Sequence, residues 1–154
     1  MSPISLYYFL WGYMIRVKFK KLIDYAIPFK YTREGDACMD MYSVEDTTIE
    51  PNSTEVVSTG IALEIPTGFE GIVRGRSGLA SKGIHVHIGT IESSYRGDIG
   101  VIITNTTNKS FSINRGDRIA QFTVKPVNNI LMEESEVLSE TERGANGFGS
   151  SGIN

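Results

Sequence analysis

Residues 89 to 98 read Gly-Thr-Ile-Glu-Ser-Ser-Tyr-Arg-Gly-Asp, which puts a carboxylate (Glu92), an aromatic ring (Tyr95), a cation (Arg96) and turn-forming glycines into one short segment. A segment of this kind can hold a planar polar ligand beside an acid or base. A second group, Gly75-Arg76-Ser77-Gly78-Leu79-Ala80, places a guanidinium and a hydroxyl among glycines at a plausible helix start. Backbone N–H groups, a hydroxyl and a fork-shaped cation suit phosphate oxygens, although the same residues also make an ordinary capping turn.

Three more stretches carry polar groups in compact settings. Ala37-Cys38-Met39-Asp40-Met41-Tyr42-Ser43 holds Asp40 among apolar neighbours, which by itself reads as a buried or turn-capping aspartate on a strand. Arg115-Gly116-Asp117-Arg118-Ile119-Ala120-Gln121-Phe122 runs from a turn into an apolar strand. The C-terminal Arg143-Gly144-Ala145-Asn146-Gly147-Phe148-Gly149-Ser150-Ser151-Gly152 is rich in glycine and serine and is expected to be mobile until a ligand orders it. It is no Walker loop, because no Lys-Ser/Thr pair follows. His85 and His87 alternate on one strand without a third ligand at metal spacing, which favours structural histidines. Arg-Gly-Asp occurs at 96–98 and 115–117, both times where a tight turn is expected rather than an adhesion motif.

The elements that must position these residues are short β-type runs separated by turn signals. Strands are expected over Val17–Leu22, Thr54–Ile65, Gly71–Arg74, His85–Ile88, Gly100–Thr104, Ser110–Ile113 and Ile119–Pro126, with one short helix near Gly78–Lys82. Glu50-Pro51-Asn52, Pro66-Thr67-Gly68 and Asn114-Arg115-Gly116-Asp117 punctuate them. That spacing predicts an all-β sandwich, barrel or jelly roll. The chain divides into an apolar N-terminal extension (1–13), a β domain (14–132) and an acidic linker with a glycine-rich arm (133–154).

Five motifs in one order, from Ala37 to Gly152, closely resemble those of the trimeric dUTPases, and the resemblance extends over roughly Ile15 to Gly152. The resemblance implies a jelly-roll-like fold, hydrolysis of dUTP to dUMP and pyrophosphate with Mg²⁺, and a homotrimer in which three subunits build each site. It assigns Glu92 to the carboxylate that activates water, and Asp40 to the metal, reached through bound water. Arg76, Ser77, Gly78, Gln121, Arg143, Gly149, Ser150 and Ser151 fall at phosphate-binding positions. Gly89, Thr90, Ile91, Tyr95, Gly100 and Phe148 fall at uracil and deoxyribose positions, the first of these on a β-hairpin and Tyr95 forming the wall that excludes a 2′-hydroxyl. Asp117 and Arg118 are expected to hold strands or subunits together.

Among the places where the chain departs from the pattern, Cys38 replaces a glycine, Ser151 stands where threonine is common, and Glu92 stands where the family carries aspartate. Glutamate is longer by one carbon–carbon bond, about 1.5 Å, and a misplacement of about 1 Å can cost on the order of 10²-fold in rate. The carboxylate must therefore retract through another rotamer. Three explanations stand: a natural variant with retuned catalysis, a substitution that traps substrate, or a nucleotide-gated regulatory protein with its own protein partner. A dCTP deaminase shares fold and phosphate motifs, but Tyr95 in its Tyr-Arg-Gly setting and the full arm argue against it.

Composition narrows the remaining choices. The 154 residues carry 15 basic and 18 acidic side chains, a net charge of −3 that argues against a nucleic-acid partner. The apolar stretch from Pro3 to Ile15 is shorter than the about 20 residues a membrane span needs and lacks the flanks of a signal peptide, so neither membrane insertion nor export is expected. It is either an extra strand, packed on a partner subunit, or a leader upstream of an internal start at Met14. A lone Cys38 permits no internal disulfide and fits a reducing cytosol, or a host cytoplasm or nucleus for a viral gene.

Overall fold

A computed structural model describes residues 14–147. The strands are short and all pairings are antiparallel: β1 (Lys18–Lys21), β2 (Met39–Tyr42), β3 (Thr47–Ile49), β4 (Thr54–Val57), β5 (Ile61–Glu64), β6 (Phe69–Arg74), β7 (Ile84–Val86), β8 (Gly89–Ile91), β9 (Val101–Asn105), β10 (Phe111–Ile113) and β11 (Arg118–Pro126). One helical turn, α1 (Ser77–Ala80), follows β6. The strands form a four-stranded sheet in the order β2-β11-β6-β8, a three-stranded sheet β4-β9-β7, and the pairs β1-β5 and β10-β3. This is the all-β, jelly-roll-like architecture that the strand spacing predicts.

Alternation builds the core. In β9, Val101, Ile103 and Asn105 are buried while Ile102 faces outward. Met41, Ile49, Val57, Ile61, Val73, Ile119 and Phe122 join them from the other strands, and Ile99 from the loop before β9. Asn105 is tolerated inside because all its polar capacity is used. Its amide donates to the Ile49 carbonyl at 3.0 Å and the Lys109 carbonyl at 2.7 Å, and its oxygen accepts from the Thr107 N–H at 3.0 Å and hydroxyl at 2.8 Å.

Several elements differ from the expected runs for identifiable reasons. The stretch 54–65 breaks into β4 and β5 at Ser58-Thr59-Gly60, where Gly60 adopts φ +65°, a conformation that ends a strand and favours glycine. The segment 85–88 continues past β7 into β8, which joins the other sheet on β6. Gly89–Ile91 and Val101–Asn105 therefore belong to different sheets, and the decapeptide connects two layers rather than closing a hairpin between paired strands. Neither β2 nor β3 stands out as an alternating run, and β2 is buried along most of its length.

Two features of the four-stranded sheet matter for function. Asp40, Gln121 and Arg74 lie directly opposite one another on β2, β11 and β6, so their side chains share one face, away from Phe122 and Val73. A β-bulge between Arg118 and Ala120 turns Arg118 onto that same polar face while Ala120 stays in the core.

Candidate active site

The decapeptide forms one side of a cavity of about 450 Å³. Thr90 and Ile91 reach it from β8, Glu92 and Tyr95 from the turn that follows, and Gly100 from the start of the return to β9. That turn is tight: the Tyr95 N–H donates to the Glu92 carbonyl at 3.0 Å, and Arg96 folds back on the carbonyls of Ser93 (2.6 Å) and Tyr95 (2.8 Å). Arg96 is thus spent on holding the loop. Val56 and Ile102, opposed on β4 and β9, supply an apolar wall from the other sheet. The Glu92 side chain is exposed and has no hydrogen-bond or ion-pair partner among the described residues, as suits a carboxylate that must reach a ligand or water.

Of the residues expected at the nucleoside, Thr90, Ile91, Tyr95 and Gly100 come together with Glu92 at this cavity. Gly89 begins β8 opposite Val73 and does not line it. Phe148 lies outside the described residues, as do Gly149, Ser150 and Ser151. Ser58 and Asp98 also line the cavity. Asp98 sits inside the decapeptide and reads as a turn residue. Ser58, 40 residues away, carries no sequence signal at all.

A second polar cluster surrounds Asp40. Its Oδ2 accepts from the Thr32 hydroxyl at 2.6 Å and from Arg118 Nη1 at 3.2 Å, while Arg76 Nε stands 3.6 Å from Oδ1. Arg76 Nη1 in turn donates to the Arg118 carbonyl at 2.7 Å. Burial pushes the Asp40 carboxyl up, but the Thr32 and Arg118 hydrogen bonds and the charges of Arg76 and Arg118 outweigh that, leaving it below its ordinary 3.8. The same burial and the charge of Asp40 push the neighbouring Tyr42 hydroxyl up. Ser77 and Gly78 open α1 beside Arg76, both exposed, where backbone N–H groups have no intrahelical partner. Gln121 is half-buried on the same face as Asp40. Arg118, expected to hold strands together, does so through Asp40.

Asp40 is compatible with a hydrated divalent cation. Its Oδ1 accepts no hydrogen bond among the described residues, leaving one anionic oxygen for a metal-bound water, and the adjacent guanidiniums disfavour direct metal contact. No three His, Cys, Asp or Glu side chains gather as a metal cluster among the described residues.

The two clusters do not merge within one chain. Arg76 and Arg118 line a different cavity, of about 250 Å³, that shares no residue with the one at Glu92. Strands β11 and β6 stand between β2 and β8, a separation of roughly 14 Å at ordinary strand spacing. Arg143 lies further along the chain, exposed, its Nε donating to the Asn146 carbonyl at 3.0 Å. No helix among the described residues is long and apolar enough to cross a membrane.

The fold is that of an all-β, jelly-roll-like protein with a cavity beside the Glu92 carboxylate and an arginine-rich polar face elsewhere on the sheet. Comparison with known proteins is specific. The dUTPase family model matches residues 24–152, and the chain belongs to that family. The deoxyuridine 5′-triphosphate nucleotidohydrolase of Clostridioides difficile is 44% identical over 143 residues, covering 91% of this chain and 100% of that protein. The dUTPase of Staphylococcus bacteriophage 80alpha with dUpNHpp superposes with a TM-score of 0.84 at 29% identity, over 90% of this chain and 99% of that one. A mutant dUTPase from phage phi11 of S. aureus, described with a coordinated structural Mg(II) ion, has the same fold at a TM-score of 0.75 and 24% identity, over 79% and 97% of the two chains.

Proposed function

We propose that this chain hydrolyses dUTP to dUMP and pyrophosphate. The observation that carries the reading is the convergence of Thr90, Ile91, Tyr95 and Gly100 on one cavity of about 450 Å³ with the Glu92 carboxylate at its edge. Uracil would be read by backbone groups of 90–92, and a mismatched base would leave those groups unpaired. The Tyr95 ring would stack on the deoxyribose and leave no room for a 2′-hydroxyl.

In the reaction, Glu92 takes a proton from a water molecule whose oxygen attacks the α-phosphorus. The bond from that phosphorus to the α,β-bridging oxygen breaks, and pyrophosphate leaves with the electron pair. Arg76, the Ser77 hydroxyl, the Ser77–Gly78 turn and Gln121 would hold the phosphate oxygens. Mg²⁺ on the triphosphate would supply charge neutralisation, with Asp40 holding its hydration shell through Oδ1. Arg143 and the Phe148-Gly149-Ser150-Ser151 segment would close over the nucleotide and exclude water.

The separation between Glu92 and the Asp40–Arg76–Gln121 face supports assembly from several copies. We infer a homotrimer in which one subunit contributes Glu92 and Tyr95, a second Ser77 and Gln121, and a third the arm. Pyrophosphate release from dUTP with Mg²⁺, run beside dUTP binding on the same sample, tests the reading. Release that is abolished in Glu92→Gln with binding retained supports it. Release unaffected by that change would remove Glu92 from the mechanism.

A further inference from the structure

The loop that carries Glu92 and Tyr95 is fastened from a distant corner of the fold. The Tyr95 hydroxyl donates to the Asp98 carbonyl at 2.9 Å. Its ring lies so close over Gly97 that a Cβ there would stand 2.6 Å from the ring's Cζ and overlap the hydroxyl oxygen. The Asp98 peptide is held in turn by its own side chain. Ser58 Oγ donates to Oδ2 at 2.6 Å, the Ile61 N–H donates to Oδ1 at 3.2 Å, and the Thr59 hydroxyl reaches Oδ1 at 3.5 Å. The next peptide is tied to the same corner, since the Ile99 N–H donates to the Ile61 carbonyl at 2.9 Å and its carbonyl accepts from the Thr59 hydroxyl at 2.8 Å.

We propose that Ser58 and Asp98 form a positioning pair that sets the height of the Tyr95 wall, and thereby the rejection of ribonucleotides. This deepens the reading of the cavity given above and rests on it. An apolar surface rejects an isostere that merely adds a hydroxyl only weakly, by on the order of 10²-fold, so chemistry alone gives little discrimination. Strong rejection therefore needs a wall that does not yield. Tyr95 is 44% exposed, so surrounding side chains do not immobilise its ring. Its hydroxyl tether and the bare backbone of Gly97 remain, and both depend on where the 97–98 peptide sits. Ser58 also accepts from the Gly60 N–H at 3.2 Å, so the strand-ending turn between β4 and β5 is built into the same device. Neither Ser58 nor Asp98 needs to touch the nucleotide for this role.

The test uses the full chain with Ser58→Ala, Asp98→Asn and Tyr95→Phe, measuring kcat and KM for dUTP and UTP together with thermal midpoints. Freeing the wall by about 1 Å is expected to raise kcat/KM for UTP relative to dUTP by on the order of tenfold. In Ser58→Ala and Asp98→Asn the gain should come mainly through a lower KM for UTP, with dUTP kcat within a few-fold of the parent, and Ser58→Thr should keep the parent's discrimination. Tyr95→Phe cuts the tether itself, so an unchanged UTP to dUTP ratio there overturns the proposal even if the other two variants fail to fold. An unchanged UTP to dUTP ratio in the folded variants overturns the proposal, whatever happens to the midpoints. A parent chain that hydrolyses dUTP and UTP equally well overturns the reading of the cavity, and this inference with it. A parent that discriminates beside variants that still do overturns the inference alone.

Discussion

The Glu92 loop and the Asp40 cluster carry the same kind of charged group in opposite states. Glu92 stands exposed with no partner among the described residues, on a turn whose own hydrogen bonds are satisfied by backbone and by Arg96. Asp40 is 6% exposed and engaged by Thr32, Arg118 and Arg76. One carboxylate is left without partners while the other has one oxygen fully engaged and an arginine beside the second. The difference teaches that charge and residue type alone do not assign a role, because what surrounds the group decides whether changing it costs function or stability.

The comparison breaks most visibly at turnover. Glu92→Gln is expected to lower kcat for dUTP by on the order of 10²- to 10⁴-fold, the range general base catalysis contributes. Unfolding free energy should move by less than about 0.5 kcal/mol, as for surface positions without structural partners. Steady-state kinetics beside urea denaturation reads both. A large loss of stability would mean that Glu92 is as structural as Asp40.

Asp40→Asn should behave in the reverse sense on stability. It keeps shape but leaves Arg76 and Arg118 facing each other without the anion between them. A loss of about 1–3 kcal/mol is expected in denaturant unfolding, the scale for a buried group deprived of a charged partner. The cations here are partly exposed, with Arg118 at 45%, which keeps the figure below that of a fully enclosed pair. No change in the urea midpoint would show that the cluster contributes little to the fold.

Between these lies the length of the Glu92 side chain. Glu92→Asp shortens the stem to the family's usual length, and turnover is expected to rise at least about tenfold with little change in dUTP affinity, because a displacement of about 1 Å can carry up to 10²-fold. Equal or slower turnover would show that this loop is already fitted to glutamate.

Much of this was legible in the residues themselves. The strands β9 and β11 follow from alternation, and the motif order from 37 to 152 pointed to the right family. Position within motifs was enough to bring Thr90, Ile91, Glu92, Tyr95 and Gly100 to one cavity, because a short loop keeps sequence neighbours together in space. What stayed hidden depended on contacts between distant segments. The strand β2 is largely buried and so lacks a half-exposed signature, and the break at Gly60 shows only as a backbone angle. The hold of Ser58 on Asp98 joins residues 40 apart, and the grip of Arg118 on Asp40 spans 78. The bulge that re-aims Arg118 is visible only once β11 and β2 are paired.

The smallest expected effect lies in the acidity of Asp40. Asp40 is held below its ordinary 3.8 in the folded chain, because two hydrogen bonds and two arginines outweigh its burial. The unfolded chain therefore binds a proton at Asp40 before the folded one does as pH falls, and stability rises with pH wherever that holds. The contribution of Asp40 is fully present above 3.8 and is lost as pH drops from there through its lower folded-state value. Urea midpoints taken from about pH 5 down to about pH 2 should fall for the parent more steeply than for Asp40→Asn, which has no proton to gain at that position. The two curves should converge at the acid end, where the parent's carboxyl is neutral too. Parallel curves across that range would mean that the arginines and Thr32 do not favour the charged form of Asp40.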